Sequence, residues 1–280
     1  MPIDQPEEEV STSEMSFLDH LEALRWHLIR SVLAVMVFGS LAFFFSDIVF
    51  DGVILAPKYD SFITYRFFCW LSQILFSNDS ICLNSLNFEL ISTQMSGQFT
   101  THLTVAFATG IVLAFPYLLW EIWRFVKPAL YPREQKMANG MVFWGSFLFA
   151  LGISFGYFVI TPLSVYFFGN YQVSGLVANQ IAVTSFISTV VTTTFGTGVV
   201  FELPILIYFL AKIGLVTPEF LKSARKISYI VILIVAAIIT PPDVTSQIIV
   251  SIPLFLLYET GIYIARRVQK NEALQASKGN

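Results

Sequence analysis

Six stretches of the chain are apolar over lengths suited to crossing a bilayer, at about 28–49, 98–121, 138–161, 183–211, 227–240 and 246–265. Spanning a core of about 30 Å takes about 20 helical residues, and five of the six stretches reach that length. The fifth has 14 uncharged residues, about 21 Å of helix. It must thin the bilayer locally or lie against its neighbours. Between residues 137 and 201 there is no Asp, Glu, Lys or Arg at all. Outside these stretches the polar residues gather in short segments, so the pattern predicts an all-α integral membrane protein with six transmembrane helices.

The basic residues sort these segments into two sides. Arg25 and Arg30 stand at the entry of the first helix. Arg124, Lys127, Arg133 and Lys136 lie between the second and third, and Lys212, Lys222, Arg225 and Lys226 between the fourth and fifth. Arg266, Arg267, Lys270 and Lys278 follow the sixth. Only Lys58 and Arg66 fall on the other side. By the excess of Lys and Arg in cytoplasmic segments, both termini are expected in the cytoplasm. The division is then an acidic cytoplasmic N-terminal segment 1–27, a six-helix transmembrane domain 28–265 and a cytoplasmic tail 266–280. The domain carries an external segment at about 50–97, an external loop at about 162–182 and a tight external turn at Thr240-Pro241-Pro242-Asp243.

Composition agrees with that pattern. Hydrophobic residues make up 55% of the 280 and charged residues 12%, where a soluble domain carries about 25% charge. The formal charge of −3 is misleading, because Asp4, Glu7, Glu8, Glu9, Glu14, Asp19 and Glu22 all precede Arg25, the first basic residue. That start has no positive region before a short apolar one, so no cleaved signal peptide is expected and the first helix serves as the insertion signal. Cys69 and Cys82 both fall in the first external segment. An oxidising exterior permits a disulfide there, and two small apolar residues in an aromatic patch are the alternative reading.

Enzyme chemistry finds no foothold. The three histidines, His20, His27 and His102, are not at metal-binding helical spacing, and no His-Glu-x-x-His, Gly-x-Ser-x-Gly or phosphate loop occurs. No enzyme activity, cofactor, metal or nucleic acid is expected. Glu202 is the costly residue. It lies ten residues before Lys212, about 15 Å from the cytoplasmic end and so near mid-membrane. A carboxyl there usually faces a cavity or a partner, and Pro204 should kink the helix beside it. His102 and Glu259 read as structural. Gly152 and Gly156 form a Gly-x-x-x-Gly that lets helices approach closely.

At the cytoplasmic surface, residues 16–25 form an amphipathic lead-in to the first helix. Residues 123–134 place aromatics beside a lone carboxylate. Solvated acids of this kind can bind a basic peptide through charge-assisted hydrogen bonds while aromatics hold its apolar flank.

Taken in order, five motifs resemble the TatC family, the multispanning core of the twin-arginine protein translocase. They are His20-Leu21-Glu22-Ala23-Leu24-Arg25; Ala56-Pro57; the stretch 125–134 with Lys127-Pro128-Ala129-Leu130-Tyr131; Phe201-Glu202-Leu203-Pro204; and Thr240-Pro241-Pro242-Asp243-Val244-Thr245-Ser246-Gln247. The resemblance implies a cup-shaped bundle with short fifth and sixth helices in the bacterial cytoplasmic (inner) membrane. It implies a receptor for the Arg-Arg signal peptides of folded proteins, exported by the proton motive force. The implied partners are TatB-like and TatA-like single-span proteins, membrane lipids and further copies of the chain. Carried over, Glu134 is the carboxylate that binds the arginine pair, with Phe125 and Tyr131 in the same patch and Arg25 the motif arginine. Glu202 becomes an intramembrane partner contact, and Pro57 and Asp243 external structural positions.

The family usually reads His-Leu-x-Glu-Leu-Arg, whereas Ala23 stands here where the acid is expected. Glu22, or Asp19 one turn back, is expected to substitute. The competing class is a proton-coupled secondary transporter with Glu202 as carrier acid. It is opposed by the lack of an internal repeat and by the single intramembrane acid.

Overall fold

A computed structural model describes residues 17–76, 82, 88–127, 138–174, 178–240 and 243–278. Among these, ten helices and two short strands follow one another. They are α1 (Phe17–Phe44), α2 (Ile63–Phe76), β1 (Glu89–Ile91), α3 (Gly97–Val126), α4 (Ala138–Phe155), α5 (Thr161–Asn170), β2 (Gln180–Ala182), α6 (Val183–Val200), α7 (Leu203–Lys212), α8 (Pro218–Ser223), α9 (Arg225–Ile239) and α10 (Val244–Lys278). A wide-turn π segment, Asp47–Ile54, follows α1, and another, Gly156–Ile160, joins α4 to α5. Five helical stretches are long and apolar enough to cross a membrane: Leu21–Phe44, Gly97–Val126, Gly140–Asn170, Val183–Lys212 and Val244–Asn271.

The spans extend further than the apolar pattern alone implies. The third continues without a break to Asn170, because its π segment accommodates the register before Pro162, which sits in the first turn of α5 where a missing N–H costs nothing. The external loop expected at 162–182 therefore starts only after residue 170. The sixth apolar stretch is not short: α10 runs 35 residues through Pro253 and into the basic tail. The fifth is short as expected, with α9 at 15 residues, or about 22 Å. It leans on α10, burying Ile232, Ala236 and Ile239. Thr240, the residue before Pro241, is extended, as the proline ring requires. Pro241 and Pro242 themselves lie outside the described residues.

Membrane helices approach closely where side chains are small, because lipid gives no hydrophobic drive between them. A Cβ placed on Gly110 of α3 would fall 2.7 Å from the Gly39 Cα of α1, so the two backbones touch there. The Gly152–Gly156 pair is used in the same way within the chain, since a Cβ on Gly152 would meet the Thr197 carbonyl oxygen and Phe201, each at 2.8 Å. The threonines of α6 carry their own solution to burial. Thr189, Thr193 and Thr197 donate to the carbonyls of Ser185, Thr189 and Thr193 at 3.0, 2.6 and 2.6 Å. Gly214, with φ of 75°, ends α7 in the left-handed conformation that L side chains avoid.

Two buried clusters result. One joins α6, α7, α9 and α10 around Phe201, Ile207, Val250, Leu254 and Ile262. The other lies toward the strands, with Ile54, Phe88, Val105, Val165, Phe186 and Ile187. There β1 and β2 pair in parallel, with Glu89 opposite Gln180, Leu90 opposite Ile181 and Ile91 opposite Ala182. The segment after α1 is thus no simple loop. It holds α2, and a disulfide joins Cys69 to Cys82.

Candidate functional site

The ends of α1 and α3 that carry Arg25, Arg30 and Arg124 are tied by one buried carboxylate. Glu121, 1% exposed, lies five residues before the end of α3. Its Oε2 hydrogen-bonds to His27 Nδ1 of α1, and its Oε1 accepts from the Tyr117 hydroxyl at 2.7 Å, one helical turn back. An acid this buried persists only with its lone pairs occupied. Both oxygens have partners, and the α1–α3 contact is held across 94 residues of sequence. His27 also meets Phe125 edge-on, with centroids 5.9 Å apart. Beside them the Arg124 guanidinium lies over the Trp120 ring at 5.3 Å, a cation–π contact.

This clasp brings the lead-in of α1 against the last turn of α3. Phe125 is half-buried in it, while Glu22 and Arg25 are exposed. At 100° per residue, Glu22 is turned about 140° around the α1 axis from His27, whereas Ala23, one turn before His27, is on the clasp side. The displaced acid therefore does not share the clasp face. The carboxylate beside Phe125 on that face is Glu121. Sequence reasoning passed over both Glu121 and His27, since an acid one turn before Arg124 reads as an interfacial charge. The available signal was the Tyr117/Glu121 spacing of four, which suits an intrahelical hydrogen bond. Asp19 falls in the first turn of α1. Tyr131 and Glu134 lie outside the described residues.

Deeper in the bundle, Glu202 stands in the break between α6 and α7, where Pro204 occupies the first turn of the new helix. The kink expected from the sequence is a full interruption. The Oε2 rests near Gly145 of α4, 3.3 Å from where a Cβ would be. The Oε1 and the Ser146 hydroxyl are buried without hydrogen-bond partners among the described residues. Glu259, by contrast, is fully engaged. It accepts from Arg225 Nη2 at 2.7 Å and from the Tyr229 hydroxyl at 2.8 Å, clamping α9 to α10. His102 stacks on Phe43 at 4.0 Å, and its Nε2 is 3.2 Å from the Phe43 carbonyl.

At the opposite end, Asp243 caps α10 by accepting from Ser246 N at 2.6 Å. Pro57 is buried, and its carbonyl accepts from the Tyr65 hydroxyl at 2.8 Å; the same hydroxyl lies 3.1 Å from the Pro162 carbonyl. Burial first, and the Asp60 charge second, push the Tyr65 phenol up from its ordinary pKa, so it remains a donor. Among the described residues no group of three or more His, Cys, Asp or Glu is placed to hold a metal.

Comparison with known proteins adds a family to this geometry. The family described as "TatC: Sec-independent protein translocase protein (TatC)" matches residues 19–253. A Sec-independent protein translocase protein TatC of Blattabacterium sp. subsp. Periplaneta americana is 38% identical over 261 residues, covering 93% of this chain and 98% of the relative. One from Halalkalibacterium halodurans is 32% identical over 266 residues, covering 94% and 95%. A crystal structure described as the twin arginine translocase receptor TatC superposes with a TM-score of 0.69 at 31% identity, covering 89% of this chain and 99% of that one.

Proposed function

The chain belongs to the TatC family of Sec-independent protein translocase proteins, and from that premise we propose how its cytoplasmic end receives a substrate. The protein is a membrane-embedded subunit of the twin-arginine translocase, with the receptor role of the TatC it superposes on. Its receptor patch takes Phe125 from the α1–α3 clasp and Asp19, Glu22 and Arg25 from α1, the last two exposed on the side turned away from the clasp, and is completed by Tyr131 and Glu134. Carboxylates accept the paired guanidinium groups of the signal peptide in fork geometry. Phe125 and Tyr131 hold the apolar residues that follow. The observation that carries this reading is the buried Glu121–His27 tie, which packs Phe125 against α1 two residues beyond Arg25.

Orientation follows from charge and from the strands. β1 and β2 are parallel; β2 leads directly into α6 and residues 92–96 link β1 to α3, an arrangement that suits α3 and α6 running in the same direction. With the basic segments on the cytoplasmic side, α9 serves as a sixth crossing and both termini are cytoplasmic. The membrane is the bacterial inner membrane. The segment 1–27, the six-helix domain 28–265 and the tail 266–280 then divide between receptor entry, membrane bundle and cytoplasmic tail. The Oε1 of Glu202, without a hydrogen-bond partner among the described residues, suits a polar side chain from a TatB-like or TatA-like single-span helix, and the proton motive force drives transport through an assembly of several copies.

The test is site-specific crosslinking of a twin-arginine precursor to the full chain. Glu134→Ala combined with Glu22→Ala should abolish crosslinks to the signal peptide. Crosslinking at the level of the unaltered chain would remove both residues from the site.

A further inference from the structure

On the face opposite the receptor patch, α2 is held by one side and bare on the other. Its buried side is tied to the third span. Thr64 donates to the Phe158 carbonyl at 2.5 Å, and Tyr65 to the carbonyls of Pro57 and Pro162. Phe62, just ahead of the helix, stacks on Phe158 at 5.9 Å. Thr64, Tyr65 and Ser72 are all buried. Opposite them, Ile63, Phe67, Trp70 and Ile74 are 65%, 52%, 57% and 58% exposed. Their spacing of four, three and four residues puts them within about 60° of one another on the helix. Arg66 and Gln73, also exposed, form one flank of this stripe, about 70° and about 90° from its centre.

The depth of the helix follows from what holds it. Phe158 lies 20 residues beyond Ala138, the start of α4, and 12 before Asn170, the end of α5. A core of about 30 Å entered at Ala138 takes about 20 helical residues, which puts Phe158 at its far edge. Phe158 is itself 43% exposed, so the stripe of α2 continues a surface that already faces lipid. An aromatic and aliphatic stripe at this depth, edged by a basic and an amide side chain, has the composition of a helix lying in the membrane interface.

We propose that α2 is an interfacial anchor whose Ile63, Phe67, Trp70 and Ile74 insert into the external leaflet, with Arg66 and Gln73 toward the headgroups. A stripe continuous with the lipid-facing belt and level with the edge of the core is covered by lipid without any further protein. Anchoring there fixes the height of the external segment that also carries the disulfide and β1. The inference needs only the membrane placement of the third span and stands apart from the assignment of the receptor patch.

The experiment uses the full chain alone in vesicles of phosphatidylethanolamine and phosphatidylglycerol. Trp70 emission is taken as the difference between the unaltered chain and Trp70→Phe. It is compared with a second chain carrying Trp70→Phe and Gln73→Trp, also after subtraction of Trp70→Phe. Lipids brominated on the acyl chain should quench the Trp70 signal at least about threefold more than that of the tryptophan at position 73, and aqueous iodide should show the reverse order. Equal quenching of both by iodide would place the stripe in water and overturn the proposal. A Trp70 shielded from iodide and from brominated lipid alike would mean that a second copy of the chain covers it, which also overturns the proposal.

Discussion

Removing His27 should expose how much of the α1–α3 contact depends on one buried carboxylate. In His27→Ala, Glu121 keeps the Tyr117 hydroxyl as its hydrogen-bond partner among the described residues, with the Arg30 charge acting on it from α1. The two side chains are 15% and 1% exposed, so water does little to screen the charge left behind. Stripping the partner from a buried charge costs about 3–5 kcal/mol, and losing the edge contact to Phe125 adds about 0.5–1.5 kcal/mol. Glu121→Gln keeps shape and a Tyr117 acceptor while removing the charge, for a loss of about 1.5–3 kcal/mol. Once Glu121 is neutral, deleting His27 no longer strands a charge. The double variant should therefore fall short of the sum of the singles by about 1.5–3 kcal/mol. Equilibrium unfolding in mixed detergent micelles, followed by circular dichroism on the four chains, gives the cycle. Signal-peptide affinity should fall in His27→Ala and partly return in the double variant. Losses that add to within about 0.5 kcal/mol would refute the coupling, as would a His27→Ala cost below about 1 kcal/mol.

Three further outcomes follow from the packing. Gly110→Ala should destabilise the fold by about 1–3 kcal/mol and Gly39→Ala by less, because a Cβ meets backbone at 2.7 Å in the first and the Ala106 carbonyl at 3.4 Å in the second; unfolding in micelles ranks them. Cys69→Ser opens a loop of sequence separation 13 and should cost about 3 kcal/mol on the chain-entropy estimate, while signal-peptide crosslinking at the other face stays unchanged. Arg225→Ala should cost no more than about 1 kcal/mol and lose its effect in high salt, since that ion pair is 42% and 37% exposed; a cost as large as that of His27→Ala would contradict the argument from burial.

Much of the architecture was legible because lipid imposes simple rules. A helix that crosses a bilayer must be apolar for its whole length, so the long stretches announced themselves, and so did the shortness of α9. The break beside Glu202 was legible from Pro204, which cannot donate to the preceding turn. Helix ends were less visible, because polarity does not stop a helix: α10 carries Arg266, Arg267 and Lys270 on continuous backbone. Pairings between distant segments were out of reach. His27 and Glu121 each look like ordinary interfacial residues until folding places them together, and three-residue strands such as β1 and β2 leave no periodic trace. The one-residue displacement at Ala23 and Glu22 was visible as a departure, but which of the two faces the clasp depends on where α3 lies.

The parallel strands act as an axial gauge for the bundle. β2 runs straight into α6 and β1 precedes α3 by residues 92–96, so the ladder links the starts of the two spans. Slipping by one residue would move one strand about 3.3 Å and turn every side chain in it to the wrong face, so intermediate heights are not available. Glu121 sits 24 residues into α3, about 36 Å along it, and Glu202 lies 19 residues beyond the start of α6, about 28 Å. The offset along the bundle between the carboxylate of the clasp and the one at the α6–α7 break is thus referred to six residues at the far end of the molecule.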